Sequence, residues 1–432
     1  MPRTGRALSL LALLSLLFLA ACSKDHAPRA RQNAPPSGLA EPVTVTWSFW
    51  GDDWEVIANQ RIVRAFEREY PQIKVNMVHR PWNSYFTWLR SEWAEGRSPD
   101  VMFLNYIPSY AGSGELEPVD RFVAGDAAQL ADFYPALLDS FRFDGRLYGF
   151  PRDNDTKVIY YNRAHFQAAG LPEPTADWSW EDLRRAALAL TKSRPQEQRY
   201  GFGFEPEYWW LTWIWQNGGN VVDDPYRPNV ALLNSPANIE ALQFLQDLIY
   251  VDKVTPPASQ LNTDAMNQLF RQGRLSMMFG NHTLVPWFAN EPELSWDVAP
   301  LPRNLARVNV AGGAGFVMSS RSQNKEAAWQ LMRFLVSPKA QALLAGSGVI
   351  TPARRSVRED SIFLRQAPYH AEVFLQETEL GRPVPNFPGV TEMERAVDEG
   401  LGALWRGERS AADVLRDLQP KVERIVAAAG GS

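Results

Sequence analysis

A chain of 432 residues, 45% hydrophobic and 22% charged, exceeds what one core usually supports and is too apolar to stay disordered. Its formal charge of −5, with no segregated basic stripe, excludes the footprint of a nucleic-acid binder. One cysteine and five histidines, none at metal-ligand spacing, exclude an intrachain disulfide and a zinc cluster, and no cofactor is expected.

In chain order, Arg3 and Arg6 precede an apolar run from Ala7 to Ala21 that is too short to span a bilayer comfortably. It ends in Leu19-Ala20-Ala21-Cys22, which resembles a lipobox, the signal that places a lipidated cysteine first in the processed protein. Residues 1–21 then read as a lipoprotein signal peptide and Cys22 as the lipidation site; the alternative is a secretory signal with an incidental cysteine. Several acyl chains would give stable anchoring, each buried methylene adding about 0.8 kcal/mol. Loss of Arg3 and Arg6 leaves 42 basic against 49 acidic side chains, a charge of −7. Residues 22–42, rich in Ala and Pro, read as a flexible tether.

From Val43 the pattern changes. Val43 to Phe49 alternates as a strand, Trp54 to Tyr70 is a helix with Ile62, Val63 and Phe66 on its buried stripe, and Pro71 stops it. Ile73 to Val78 is a second strand, Ser84 to Ala94 a second helix, and Asp100 to Leu104 a third strand. This order predicts a parallel sheet with right-handed crossovers. A second series repeats the pattern without repeating the sequence: strands at 158–161, 200–204 and 275–279, with helices near 163–169, 180–191, 235–251 and 264–272. Helices also occupy the tail, at 325–335, from Pro338, at 390–405 and at 411–427. The doubling predicts two α/β lobes.

Fragments along the whole processed chain resemble the extracellular solute-binding proteins of the maltose and glycerol-phosphate importer class. They include Phe49-Trp50-Gly51, Phe66-Glu67-Arg68-Glu69-Tyr70-Pro71, Gly96-Arg97-Ser98-Pro99-Asp100-Val101, Tyr148-Gly149-Phe150-Pro151 and Tyr160-Tyr161-Asn162-Arg163. Gln216-Asn217-Gly218-Gly219, Met277-Met278-Phe279-Gly280 and Lys325-Glu326-Ala327-Ala328-Trp329 continue the series. Each fragment is weak alone; their order is specific. The resemblance implies a class II periplasmic-binding-protein-like fold, with two lobes, a hinge and an interlobe cleft. The lobes would comprise 43–154 plus 310–348 and 155–309 plus 349–432, with crossings near 154–157, 308–311 and 348–351. It further implies a non-catalytic receptor, expected as a monomer, that delivers a carbohydrate or polyol to the permease subunits of an ABC importer from the outer face of a membrane.

In open α/β sheets ligands sit beyond the carboxyl ends of strands, which nominates Trp50 and Asp52, then Trp82, then Asn105 and Tyr106 after the first three strands. Packing and ordinary turns are the competing roles. Relatives use the segment holding Asn154 and Asp155 to hydrogen-bond the ligand from the cleft floor, and capping is the competing role there. Tyr208 to Trp215 carries rings on several helical faces, so some should face something other than core. Trp209 or Trp210 is expected in the cleft, with Trp213 and Trp215 structural. Asn281 and His282 would reach the ligand from the second lobe, with Trp287 as a wall or as core. Gly312 and Gly313 would let a ligand approach the backbone. Arg354 would bind an anionic or polyol ligand or pair with an acid. Pro385-Asn386-Phe387-Pro388 resembles the family's cleft-lining tail, but Glu394 stands near where maltose-type relatives place a stacking aromatic, which argues against a long maltodextrin. A surface carbohydrate-active enzyme using carboxylates from Asp52, Asp53, Asp153 or Asp155 is the alternative. A binding lobe that feeds a sensor or acts as an adhesin is a third reading.

Overall fold

The first strand, β1 (Val43–Trp50), is buried along its second half because it is paired on both edges. Asp52 then caps the following helix, α1 (Asp53–Glu69). Its carboxylate accepts from the backbone of Trp54 and Glu55, and Glu55 reaches back to the Asp52 N–H, a capping box. Ile62 and Phe66 lie on the covered face of α1. The chain returns through β2 (Ile73–Arg80), α2 (Trp82–Ala94) and β3 (Val101–Leu104), and β2 and β3 flank β1 in parallel, as the alternation predicts. Two later strands extend this sheet, β4 (Gly149–Pro151) and β9 (Gly315–Met318), in the order β2-β1-β3-β9-β4; β9 is antiparallel to both of its neighbours. This computed structural model describes residues 43–124, 130–206, 209–358 and 368–430. The signal segment, Cys22, the tether and Tyr208 lie outside them.

The second sheet is smaller and differs from expectation. β5 (Val158–Asn162) lies between β6 (Met277–Gly280) and β7 (Trp296–Ala299), antiparallel to both. The segment Tyr200 to Phe204, expected as a strand, forms only isolated bridges, to Leu275 and Met278. Gly201 presses against α3 (Trp180–Leu190): a Cβ there would lie 2.0 Å from the Ala187 carbonyl oxygen. The segment therefore divides its hydrogen bonds among Val254, Met277 and Thr191 instead of running a ladder. α4 (Trp210–Gln216) is buried on every face. A helix apolar all round is stable only when enclosed, and Trp180, Phe244 and Phe279 pack on Trp213 to enclose it.

Between the two sheets the chain crosses repeatedly, and the crossings bind one another. The Asn154 N–H donates to the Thr351 carbonyl at 3.1 Å and the Asp155 N–H to the Gly312 carbonyl at 2.7 Å. Asn309, on β8 (Asn309–Ala311), accepts from the Lys157 N–H at 3.1 Å and donates to its carbonyl at 2.7 Å. β8 also pairs in parallel with β10 (Gly381–Pro383). These segments form a narrow ribbon, and the loops at the strand ends of each sheet face a cleft beside it. Among the described residues no helix is long and apolar enough to cross a membrane.

Candidate functional site

The cleft has a volume of about 600 Å³. One wall grows from the ends of β1 and β3 and the start of α2. Trp82 lines it, 54% exposed, and stands edge-on to Trp50 at 5.1 Å between centroids. Trp50 also lines the cleft but is packed on Tyr85, Phe86 and Phe103, so it backs the Trp82 ring more than it offers its own face. Asn105 and Tyr106 follow β3 and line the same wall. Tyr106 holds a left-handed backbone, φ 53°, a conformation costly for a bulky residue and recurrent at functional sites. That turn lets its phenol hydrogen-bond to Glu394, on α6 (Val390–Trp405) across the cleft.

The floor is made by the first crossing. Asn154 and Asp155 both line it, as expected. Asn154 is largely committed: it donates to Thr156 at 2.6 Å and to Thr378 at 3.3 Å, and accepts from the Gly312 N–H at 3.3 Å. Asp155 is held from two sides, by Lys157 Nζ and by Asn281 Nδ2, each at 2.5 Å. Gly312 and Gly313 also line the cleft, but the missing side chain at 313 admits the protein's own backbone, since a Cβ there would sit 2.6 Å from the Asp153 carbonyl oxygen. His282 lines the cleft yet is almost wholly covered, edge-on to Phe374, and burial pushes its imidazole down to about 3, leaving the ring neutral.

The opposite wall carries Trp209. Lys157 Nζ lies 3.0 Å from its ring centroid and Glu205 accepts from its Nε1 at 2.8 Å, so a cation on the ring and an acid at its edge fix the indole. Lys157 is 1% exposed, and burial pushes its ammonium down to about 8 against the upward pull of Asp155.

Four expected residues do not line the cavity. Trp210 points behind the wall, 4% exposed, with its Nε1 donating to Asp398 at 3.2 Å. Arg354 is buried against Phe133 and pairs with Asp132 at 2.9 Å, so its guanidinium is spent on the protein. Asp52 is spent on the α1 cap, and Trp287, on α5 (Val285–Ala289), donates to its second oxygen at 3.3 Å. Those two residues therefore join the opposite walls at the rim.

Residues outside the nominated ligand contacts also reach the cleft, Asn386 among them from the tail segment expected to line it. Arg152 pairs with Glu55 at 2.7 Å and with Asp153 at 2.5 Å, and burial raises both carboxyls despite the guanidinium. Asn386, Glu394 and Asp398 line the second wall. Glu394 and Asp398 sit one helical turn apart on α6 beside the buried Val397 and Leu401, an unfavourable i, i+4 pair of like charges readable in the sequence. Among the described residues no group of His, Cys, Asp and Glu could hold a metal ion.

The geometry is that of a two-walled trap, and comparisons give it relatives. The profile of the bacterial extracellular solute-binding proteins matches residues 51–342. A putative binding protein of Brucella abortus is 23% identical, covering 85% of this chain and 89% of its own. The galactooligosaccharide-binding protein of Bacillus subtilis is also 23% identical, covering 92% of each chain. Among solved structures, an ABC substrate-binding protein of Listeria monocytogenes in complex with cycloalternan superposes with a TM-score of 0.83 at 24% identity, over 90% of this chain and all of its own. The chain has the two-lobe class II fold of periplasmic binding proteins and belongs to the bacterial extracellular solute-binding protein family.

Proposed function

We propose that the protein captures a carbohydrate between its lobes and presents it to the permease subunits of an ABC importer. One observation carries this reading: a cavity of sugar-sized volume whose two walls each offer an indole, Trp82 and Trp209, with a floor of amides and carboxylates between them. Flat aromatic faces suit the apolar faces of sugar rings, and fixed polar groups suit hydroxyls. The relatives support it, one being named for a galactooligosaccharide and another having been solved with cycloalternan. Closure is favoured because the ligand touches both walls, and hinge motion falls to the crossing segments. The lobes are proposed to divide at 43–154 plus 310–348 and 155–309 plus 349–432.

The protein is proposed to act as a monomer and to bind without catalysis. Asp153 is already ion-paired with Arg152, which argues against a role as a general acid. Cys22 is proposed to carry lipid, and mass spectrometry of the processed amino-terminal peptide would read the acyl chains directly. Incubating residues 22–432 with mono- and oligosaccharides and polyols tests the main reading. Saturable thermal stabilisation without turnover is expected, growing by about 2.7 kcal/mol at a hundredfold excess over Kd. Product release, or no stabilisation by any saccharide, would overturn it.

A further inference from the structure

The donors and acceptors around α6, on the second wall and on Asn105 and Tyr106 of the first, are unbalanced. Around α6 the donors are spent on the protein: Asn386 Nδ2 on the Ser140 carbonyl at 2.7 Å, Trp210 Nε1 on Asp398, and the Tyr106 phenol on Glu394. The acceptors are not. Glu394 Oε1, Asn386 Oδ1 and Asn105 Oδ1 are buried oxygens with no hydrogen-bond partner among the described residues, and all three side chains line the cleft. Asn386 is 3% exposed, so its oxygen cannot turn to bulk water. A buried acceptor left unmade is costly, so the ligand has to bring donors to this end. A sugar hydroxyl brings one donor and two acceptor lone pairs, whereas an ammonium brings three donors and no acceptor.

Charge points the same way. Glu394 and Asp398 face the cleft one turn apart, and burial together with Asp398 pushes the Glu394 carboxyl up to about 8, against the phenol of Tyr106. Tyr110, from the segment after Tyr106, also feels Glu394, and Arg90 lies beyond it. Within the floor, by contrast, Arg152 and Lys157 already answer Glu55, Asp153 and Asp155. A cation placed beside Glu394 would relieve the like-charge pair; an anionic sugar would worsen it.

We infer that the carbohydrate carries a protonated amine, an amino sugar or an amine-bearing oligosaccharide, and that Glu394 is the residue that selects for it. This rests on the carbohydrate-binding reading above and narrows it.

The test is titration calorimetry at pH 6.5 with matched probes: glucose, galactose and mannose, their 2-amino forms and N-acetylated amines, and the β-1,4 dimers of glucose and of glucosamine. At least one amine-bearing probe should bind tenfold or more tighter than both its hydroxyl and its acetylated counterpart, and Glu394→Gln should lower that ratio at least fivefold. In the wild type, runs in buffers of different ionisation enthalpy should show proton release on binding the amine, because Glu394 gives up its proton beside a cation. This readout does not depend on the variant folding. Neutral members binding as well as or better than amines in every pair, no proton release, or an unchanged ratio in a Glu394→Gln protein that melts cooperatively would each overturn the inference and leave the carbohydrate reading standing. No binding by any saccharide would remove both.

Discussion

The two walls of the cleft are made of different materials. The first is a cluster of rings: Trp82 leans on Trp50 and Phe86, Trp50 leans on Phe103 and Tyr85, and the hydroxyl of Tyr85 is turned away to Ser48 at 2.8 Å. Among the described residues the second holds one ring, Trp209, beside Glu205, Glu394 and Asp398, with Lys157 against its face. An aromatic cluster offers area and dispersion with little angular preference, while fixed carboxylates dictate where each donor must lie. On the proposed reading the first wall would supply adhesion and the second discrimination, with closure bringing both to one ligand.

The largest effect should come from removing a ring on each side. Trp82→Ala with Trp209→Ala is expected to weaken binding roughly a hundredfold, each aromatic contact being worth about 1.4 kcal/mol, or tenfold. Calorimetry on the single and double variants measures it, and losses confined to one wall would break the comparison. A smaller effect is expected for Lys157→Met, about a fivefold loss, because Trp209 keeps its area and loses its underlying cation. The same group gives a pH dependence. Lys157 is charged below about 8 and discharges above it, so Asp155 loses its cation and affinity falls as the pH rises through that value. Indole emission of the wild type should titrate with a midpoint near pH 8, and that transition should be missing in Lys157→Met. The smallest effect, about twofold, is expected for Trp287→Phe, which removes one half-exposed bond to Asp52 and leaves both walls intact. A change in closing rate by stopped-flow fluorescence, with little change in affinity, would sharpen the view that the rim only latches.

Much of this was legible in the sequence, and the misses have physical causes. The alternation in Val43 to Phe49 and the stripe of α1 identify the parallel part of the first sheet, because one buried face per element leaves a periodic trace. The strand β4 leaves none, being short and buried throughout. Trp82 and Trp209 were readable as strand-end and block aromatics. Trp210 was not separable from its neighbour, since its orientation depends on elements packed around α4 from far along the chain. Asp52, followed three residues later by Glu55, carried the mark of a capping box, which accounts for it without a ligand. Arg354, two residues after Pro352, gave no hint of Asp132, 222 positions away. Glu394 was read only as an argument against a long maltodextrin and Asp398 was passed over, yet two acids one turn apart beside Val397 and Leu401 cannot both be on a solvated face.

Gly313 sets a limit on how the jaw can shut. Its α-carbon meets the Asp153 carbonyl where two crossing segments touch, with room for hydrogen and none for a methyl group. An alanine there would act as a doorstop, holding the crossings a fraction of an ångström apart at the pivot, where a small displacement becomes a large gap at the rim. One carbon atom, added at the pivot, would thus trade the shut form for the gaping one and lower affinity.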